Sequence, residues 1–136
     1  MSGVRLTRAV REAIVGHARA SLPDECCGLL VGANGLIDEC VPSPNVDPSP
    51  ATRFRLDPAV HVRTIRRLRG TPRTIAGCYH SHPATAAVPS PRDVADALYP
   101  EFVWIIVSLT NPGEPALAAF RIARGGWTNL ALEIAP

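Results

Sequence analysis

Between Thr74 and Asp93 the chain reads His80-Ser81-His82-Pro83 followed by Ser90-Pro91-Arg92-Asp93, and this stretch restricts the possible folds more than any other. Ile75, Ala76, Cys78 and Tyr79 suit a strand over Thr74 to His82. In a strand, side chains two apart share a face, so His80 and His82 point the same way with Cβ atoms about 7 Å apart, a gap two imidazoles can close onto one ion. Ser90-Pro91-Arg92-Asp93 predicts a helix start, with Ser90 as N-cap, Pro91 at the first helical position and an acid in the first turn. The fold must therefore bring a helix N-terminus against the end of a strand.

Two imidazoles and one carboxylate make three ligands, which for Zn²⁺ leaves one of about four positions open, the pattern of a catalytic rather than a structural site. No Cys-x₂-Cys pair is present to close a structural one. A His-x-His in a strand is by itself more often packing or surface than a ligand pair, and Ser90 alone reads as a cap. The joint pattern with Asp93 carries the argument. A hydrolytic site also needs a carboxylate to take and return a proton. Glu25, opening the strand expected over Cys26 to Val31, is the candidate, while Asp24, Glu39, Asp96 and Glu101 are alternatives by residue type.

At 136 residues the chain is expected to form one domain, 1–136, burying roughly two-thirds of its unfolded surface. Its 14 basic residues are all Arg, and a net charge of +2 is too small to argue for a nucleic-acid partner. Val4 to Ala20 is broken by charges and is no signal peptide, and the longest apolar run, Phe102 to Leu109, is too short to span a membrane, so no membrane partner and a cytosolic protein are expected. Cys26, Cys27, Cys40 and Cys78 lack disulfide-framework spacing and read as reduced core residues; Cys78 continues the face of the two histidines, where burial one step deeper in the strand is the commoner reading and a fourth ligand the alternative.

The remaining elements follow in order. Thr7 to Leu22 is a helix capped by Thr7 and ended by Pro23, with His17 at the edge of its apolar stripe. Two strands, Cys26 to Val31 and Leu36 to Val41, flank a tight turn within Gly32-Ala33-Asn34-Gly35. A proline-rich loop over 42–50 precedes an extended piece at Phe54 to Leu56. Asp57-Pro58 opens a second helix with Val62, Ile65 and Leu68 inward, while Arg63, Arg66, Arg67, Arg69 and His61 read as a solvated face, with an acidic partner for the arginines as the alternative. After the helix Ser90 to Leu98, Phe102 to Leu109 is a central strand buried on both faces. Strands Ala116 to Ile122 and Trp127 to Ile134 finish a meander around an Arg124-Gly125-Gly126 turn. The order predicts an α/β domain, a mixed sheet covered by helices.

Pro23-Asp24-Glu25-Cys26-Cys27-Gly28-Leu29-Leu30-Val31-Gly32, then His80-Ser81-His82-Pro83, Ser90 and Asp93 resemble the JAMM motif of the MPN-domain metalloproteases over nearly the whole chain. The resemblance implies a cytidine-deaminase-like α/β/α fold, Zn²⁺ held by His80, His82 and Asp93, Glu25 as general acid/base, and Ser90 assisting the water and the oxyanion. It also implies a groove in which a substrate tail lies as an added strand, rimmed by the 42–50 loop and residues 83–89. The chain is similar to the small bacterial stand-alone members, whose substrate is a ubiquitin-like sulfur-carrier protein with a C-terminal Gly-Gly tail. Such members remove an amino acid or extension beyond that tail. A non-catalytic MPN-type scaffold is the alternative, favoured only if a motif residue were missing, and a zinc deaminase would require His-x-Glu and Pro-Cys-x-x-Cys, which do not occur.

Overall fold

The computed structural model describes residues 3–123 and 125–136. Its elements run β1 (Gly3–Thr7), α1 (Arg8–Ser21), β2 (Cys27–Ala33), β3 (Leu36–Ser43), α2 (Pro58–Leu68), β4 (Thr74–His82), α3 (Pro91–Asp96), β5 (Val103–Ser108), β6 (Ala116–Ala123) and β7 (Gly126–Ala135). Arg124, expected in the last turn, lies outside the described residues. No helix among the described residues is long and apolar enough to cross a membrane.

The sheet is mixed, as expected: β1 runs parallel to β3 and β7, β4 runs parallel to β5, and the other neighbours are antiparallel. Its order β1-β3-β2-β4-β5-β6-β7 closes on itself, because β1 bridges β3 and β7. The sequence reading had no strand before α1. Val4 and Leu6 are buried while Arg5 between them is exposed, the alternation of a half-buried strand, but five residues are too few to stand out beside the helix that follows.

Thr7 caps α1 by accepting from the Val10 N–H at 3.2 Å, and Val10, Ile14 and Ala18 are buried on one stripe. Asn34 and Gly35 both have positive φ, at 55° and 77°, the conformation of the tight hairpin turn joining β2 and β3. All six residues of β5 are buried between β4 and β6.

One expectation fails. In α2 the inward residues are Val60, Thr64 and Leu68, whereas Val62 and Ile65 are 45% and 46% exposed. Thr64 can occupy the buried stripe because its hydroxyl donates to the Val60 carbonyl at 2.8 Å, which satisfies the polar group without water.

Two apolar clusters divide the interior. Tyr79, Ile105 and Val107 pack with α1 and β1, while Cys78, Trp104, Ile106 and Phe120 pack on the other side with Phe54 and Val94. The period of two along β4 sends Tyr79 to the α1 side and Cys78, His80 and His82 to the side of α3.

Candidate metal centre

His80 and His82 end β4, and both are buried, His80 completely. Across the loop, α3 begins with a reciprocal cap: Ser90 Oγ accepts from the Asp93 N–H at 3.0 Å, and Asp93 Oδ2 accepts from the Ser90 N–H at 2.9 Å. This cap fixes the Asp93 carboxylate beside the strand end, as the sequence pattern required. His80 Nε2, His82 Nε2 and Asp93 Oδ2 lie 3.1 Å from one another on all three edges.

The tautomer of His82 is set by its other nitrogen. Nδ1 faces the Ala86 carbonyl at 2.8 Å and must donate, so Nε2 of the neutral ring presents a lone pair to the Asp93 oxygen. Electron-pair donors thus converge at short range. One proton can bridge a single edge of the triangle, whereas a metal ion serves all three corners. An equilateral triangle of this edge is the face of a tetrahedron whose centre lies about 1.9 Å from each corner, close to the ~2.0–2.2 Å that imidazole nitrogens and carboxylate oxygens keep from a small divalent ion. The residues therefore fit a metal, and they form the one such group found among the described residues.

Charge follows the same geometry. Burial works to raise the Asp93 pKa, but the two imidazoles and the Ser90 N–H outweigh it and hold the carboxyl well below the usual range. Burial lowers the His80 pKa and keeps that ring neutral. For His82 burial acts in the same direction but is overcome by Asp93, the Ala86 carbonyl and Glu25, and the net shift is upward.

Two aromatic rings brace His80. Phe54 stacks on it with centroids 4.3 Å apart, and Trp104 meets it edge-on at 5.7 Å. Neither was singled out from the sequence, where Phe54 belongs to a short extended piece and Trp104 to a strand that is apolar throughout.

Glu25 precedes β2, which runs antiparallel to β4 with Cys27 opposite His80. The pairing continues one step further: the Ser81 N–H donates to the Cys26 carbonyl at 3.1 Å, and the Cys26 N–H donates to Ser81 Oγ at 2.7 Å. Glu25 is thereby brought level with His82. Its side chain is buried, and burial, reinforced by the negative charges of Asp93 and Asp47 and partly offset by His82, raises its pKa to about 7. A carboxyl poised near neutrality can both accept and return a proton.

The proline-rich loop supplies the other half of this placement. The Glu25 N–H donates to the Pro50 carbonyl at 2.8 Å, and Asn45 Nδ2 donates to the Glu25 and Arg53 carbonyls, both at 2.9 Å. Asn45 Oδ1 accepts from the Asp47 and Arg55 N–H groups, both at 3.1 Å. Asn45 is thus a bracket tying Glu25 to the loop that leads to Phe54. The one sequence signal for it is the tendency of Asn to bond backbone two residues on in turns.

The remaining candidates fall elsewhere. His17 Nδ1 pairs with the Tyr79 hydroxyl at 2.8 Å on the α1 side, and His61 lies edge-on to Tyr99. Cys78 is buried one step deeper than His80 and outside the ligand group, its thiol pKa pushed far upward by burial. Burial likewise raises Cys26 to about 11 and Cys27 to about 12, and all four cysteines are free.

The chain is similar to several known proteins. The chain is 36% identical over 124 residues to the CysO-cysteine peptidase of Mycobacterium tuberculosis, covering 90% of this chain and 84% of that protein. It is 34% identical over 90 residues to the probable TtuB-protein conjugate cleaving protease of Thermus thermophilus, covering 66% of this chain and 60% of that one. A protein of Desulfitobacterium hafniense solved in solution superposes with a TM-score of 0.88 at 33% identity, covering 97% of this chain and 92% of the other. Residues 7–123 match the family profile, and the chain belongs to the prokaryotic homologs of the JAB domain.

Proposed function

We propose that this domain is a zinc metallopeptidase that hydrolyses the amide bond after the Gly-Gly-like tail of a ubiquitin-like sulfur-carrier protein, releasing a C-terminal amino acid or extension. The observation that carries the proposal is the 3.1 Å triangle of His80, His82 and Asp93 with a buried glutamate beside it whose pKa is raised to about 7. The names of the relatives, a CysO-cysteine peptidase and a conjugate cleaving protease, support the same substrate class. Four neutral, free thiols suit a cytosolic setting.

His80, His82 and Asp93 hold the ion, and zinc is the choice for two imidazoles and a carboxylate with a position to spare. When bound, it supplies a Lewis acid that polarises a carbonyl and acidifies water. Glu25 takes the proton of the attacking water on its carboxylate and returns it to the departing amine, so that the amide C–N bond breaks and a carboxylic acid and an amine result. Ser90 Oγ accepts from the Asp93 N–H, which leaves its own proton free to donate towards the oxyanion. Phe54 and Trp104 exclude water from the buried side of His80.

The test is to incubate the purified, zinc-loaded protein with sulfur carriers bearing C-terminal extensions, with and without a chelator, and to read the masses. Chelator-sensitive loss of the extension is expected, abolished in Glu25→Ala. A zinc-free protein that binds carriers without cutting them would support an interaction module instead.

A further inference from the structure

A cavity of about 610 Å³ lies beside α3, which carries Asp93, and is lined by Arg92, Ala95 and Asp96 of that helix. Its walls include Phe54, Leu56, Tyr99, Phe102 and Trp104, so the two rings that brace His80 also face this space. The volume is that of a site for a small organic group. Trp104 is buried, and its Nε1–H has no acceptor. The rim carries Arg53, Arg55 and Arg92 against Asp47 and Asp96. Arg92 reaches Asp96 only at 3.9 Å, and Arg53 and Arg55 make no ion pair among the described residues, which leaves positive charge for an anionic group.

This step rests on the reading that cleavage follows a Gly-Gly tail. Glycines on the acyl side have no side chains, so the residues just before the scissile bond cannot occupy an aromatic-walled cavity. The residue on the amine side can. We infer that the cavity recognises the first residue released, an apolar or aromatic one, with its side chain against Phe54, Phe102 and Trp104 and its C-terminal carboxylate facing Arg53 and Arg55. The protein then acts on the free C-terminal end of an extended carrier, with hydrophobic preference immediately after the glycines.

The experiment compares kcat/KM for zinc-loaded protein on carriers ending Gly-Gly-Phe, Gly-Gly-Leu, Gly-Gly-Ala and Gly-Gly-Asp, and on the Gly-Gly-Phe amide. Phe and Leu are expected to exceed Asp by at least about ten-fold, the discrimination available to a hydrophobic pocket. Ala95→Trp, at an exposed α3 position lining the cavity, is expected to lower the Phe:Ala ratio, and Arg53→Ala with Arg55→Ala to narrow the acid:amide ratio. A second readout needs no turnover: in metal-free, ¹⁵N-labelled protein the Trp104 indole signal shifts on adding acetyl-Gly-Gly-Phe and not acetyl-Gly-Gly-Asp. Equal rates for all extensions with an unmoved indole signal overturn the pocket and leave the peptidase reading intact. Absence of any cleavage counts against the peptidase reading, and the indole shift then decides the pocket by itself.

Discussion

Asn45→Asp is the most informative perturbation of Glu25, the carboxylate proposed to carry the proton, that leaves that carboxylate untouched. The side chains are isosteric, and the oxygen that accepts from the Asp47 and Arg55 N–H groups is retained. What changes is the other end, where an NH₂ donating to the Glu25 and Arg53 carbonyls at 2.9 Å becomes an acceptor facing two acceptors. The bond to the exposed Arg53 carbonyl is lost at about 1 kcal/mol, and the part-buried Glu25 carbonyl is left unsatisfied at about 1–3 kcal/mol, so a destabilisation of about 2–4 kcal/mol is expected. The loss falls on the 42–50 loop and the segment entering β2, not on β4 or α3, which carry His80, His82 and Asp93. Urea unfolding should therefore show a lower midpoint, elemental analysis unchanged zinc, and carrier cleavage a kcat reduced by about ten-fold or more, since misplacing a reacting group by about 1 Å costs up to 10²-fold. Wild-type kcat in Asn45→Asp at matched zinc would refute the claim that this bracket positions Glu25.

Other outcomes follow from the same contacts. Glu25→Gln should keep zinc and fold yet abolish turnover, and unchanged cleavage would assign the proton transfer to another group. Because burial raises the Glu25 pKa to about 7, the unfolded chain loses that proton first as pH rises, so metal-free protein should lose stability between about pH 4.5 and 7. Glu25→Gln should lack that part of the decline, as read from urea midpoints at several pH values. Gly77→Ala would drive a Cβ into the Val103 backbone where β4 pairs with β5, and the thermal midpoint should drop by several degrees or the protein should fail to fold.

Much of the site was legible because it is local. His80 and His82 share a face through the period of a strand, and Ser90 to Asp93 is a helix start that places a carboxylate by its own cap, so no knowledge of distant contacts was needed. Glu25 was different. Its position at the head of β2 could be read, but its choice over other acids rested on family resemblance, since its level with His82 depends on the β2/β4 register. Asn45 and Phe54 were invisible for the same reason: each acts through a partner brought near by the fold, Asn45 on Glu25 and Phe54 on His80. In α2 the apolar period chose Val62 and Ile65, whereas the fold buries Val60 and Thr64, because a self-satisfied threonine hydroxyl passes as apolar and sequence hydropathy does not see that. β1 escaped because five residues leave little pattern, yet it is the strand that closes the sheet.

Zinc bound per chain, measured by elemental analysis on wild type beside His80→Ala and Asp93→Ala with fold checked by circular dichroism, tests the ligand triangle directly. One equivalent in the wild type and a folded but zinc-poor protein in each variant is the predicted result. Equal zinc in all three, or none in a folded wild type supplied with the metal, would contradict it.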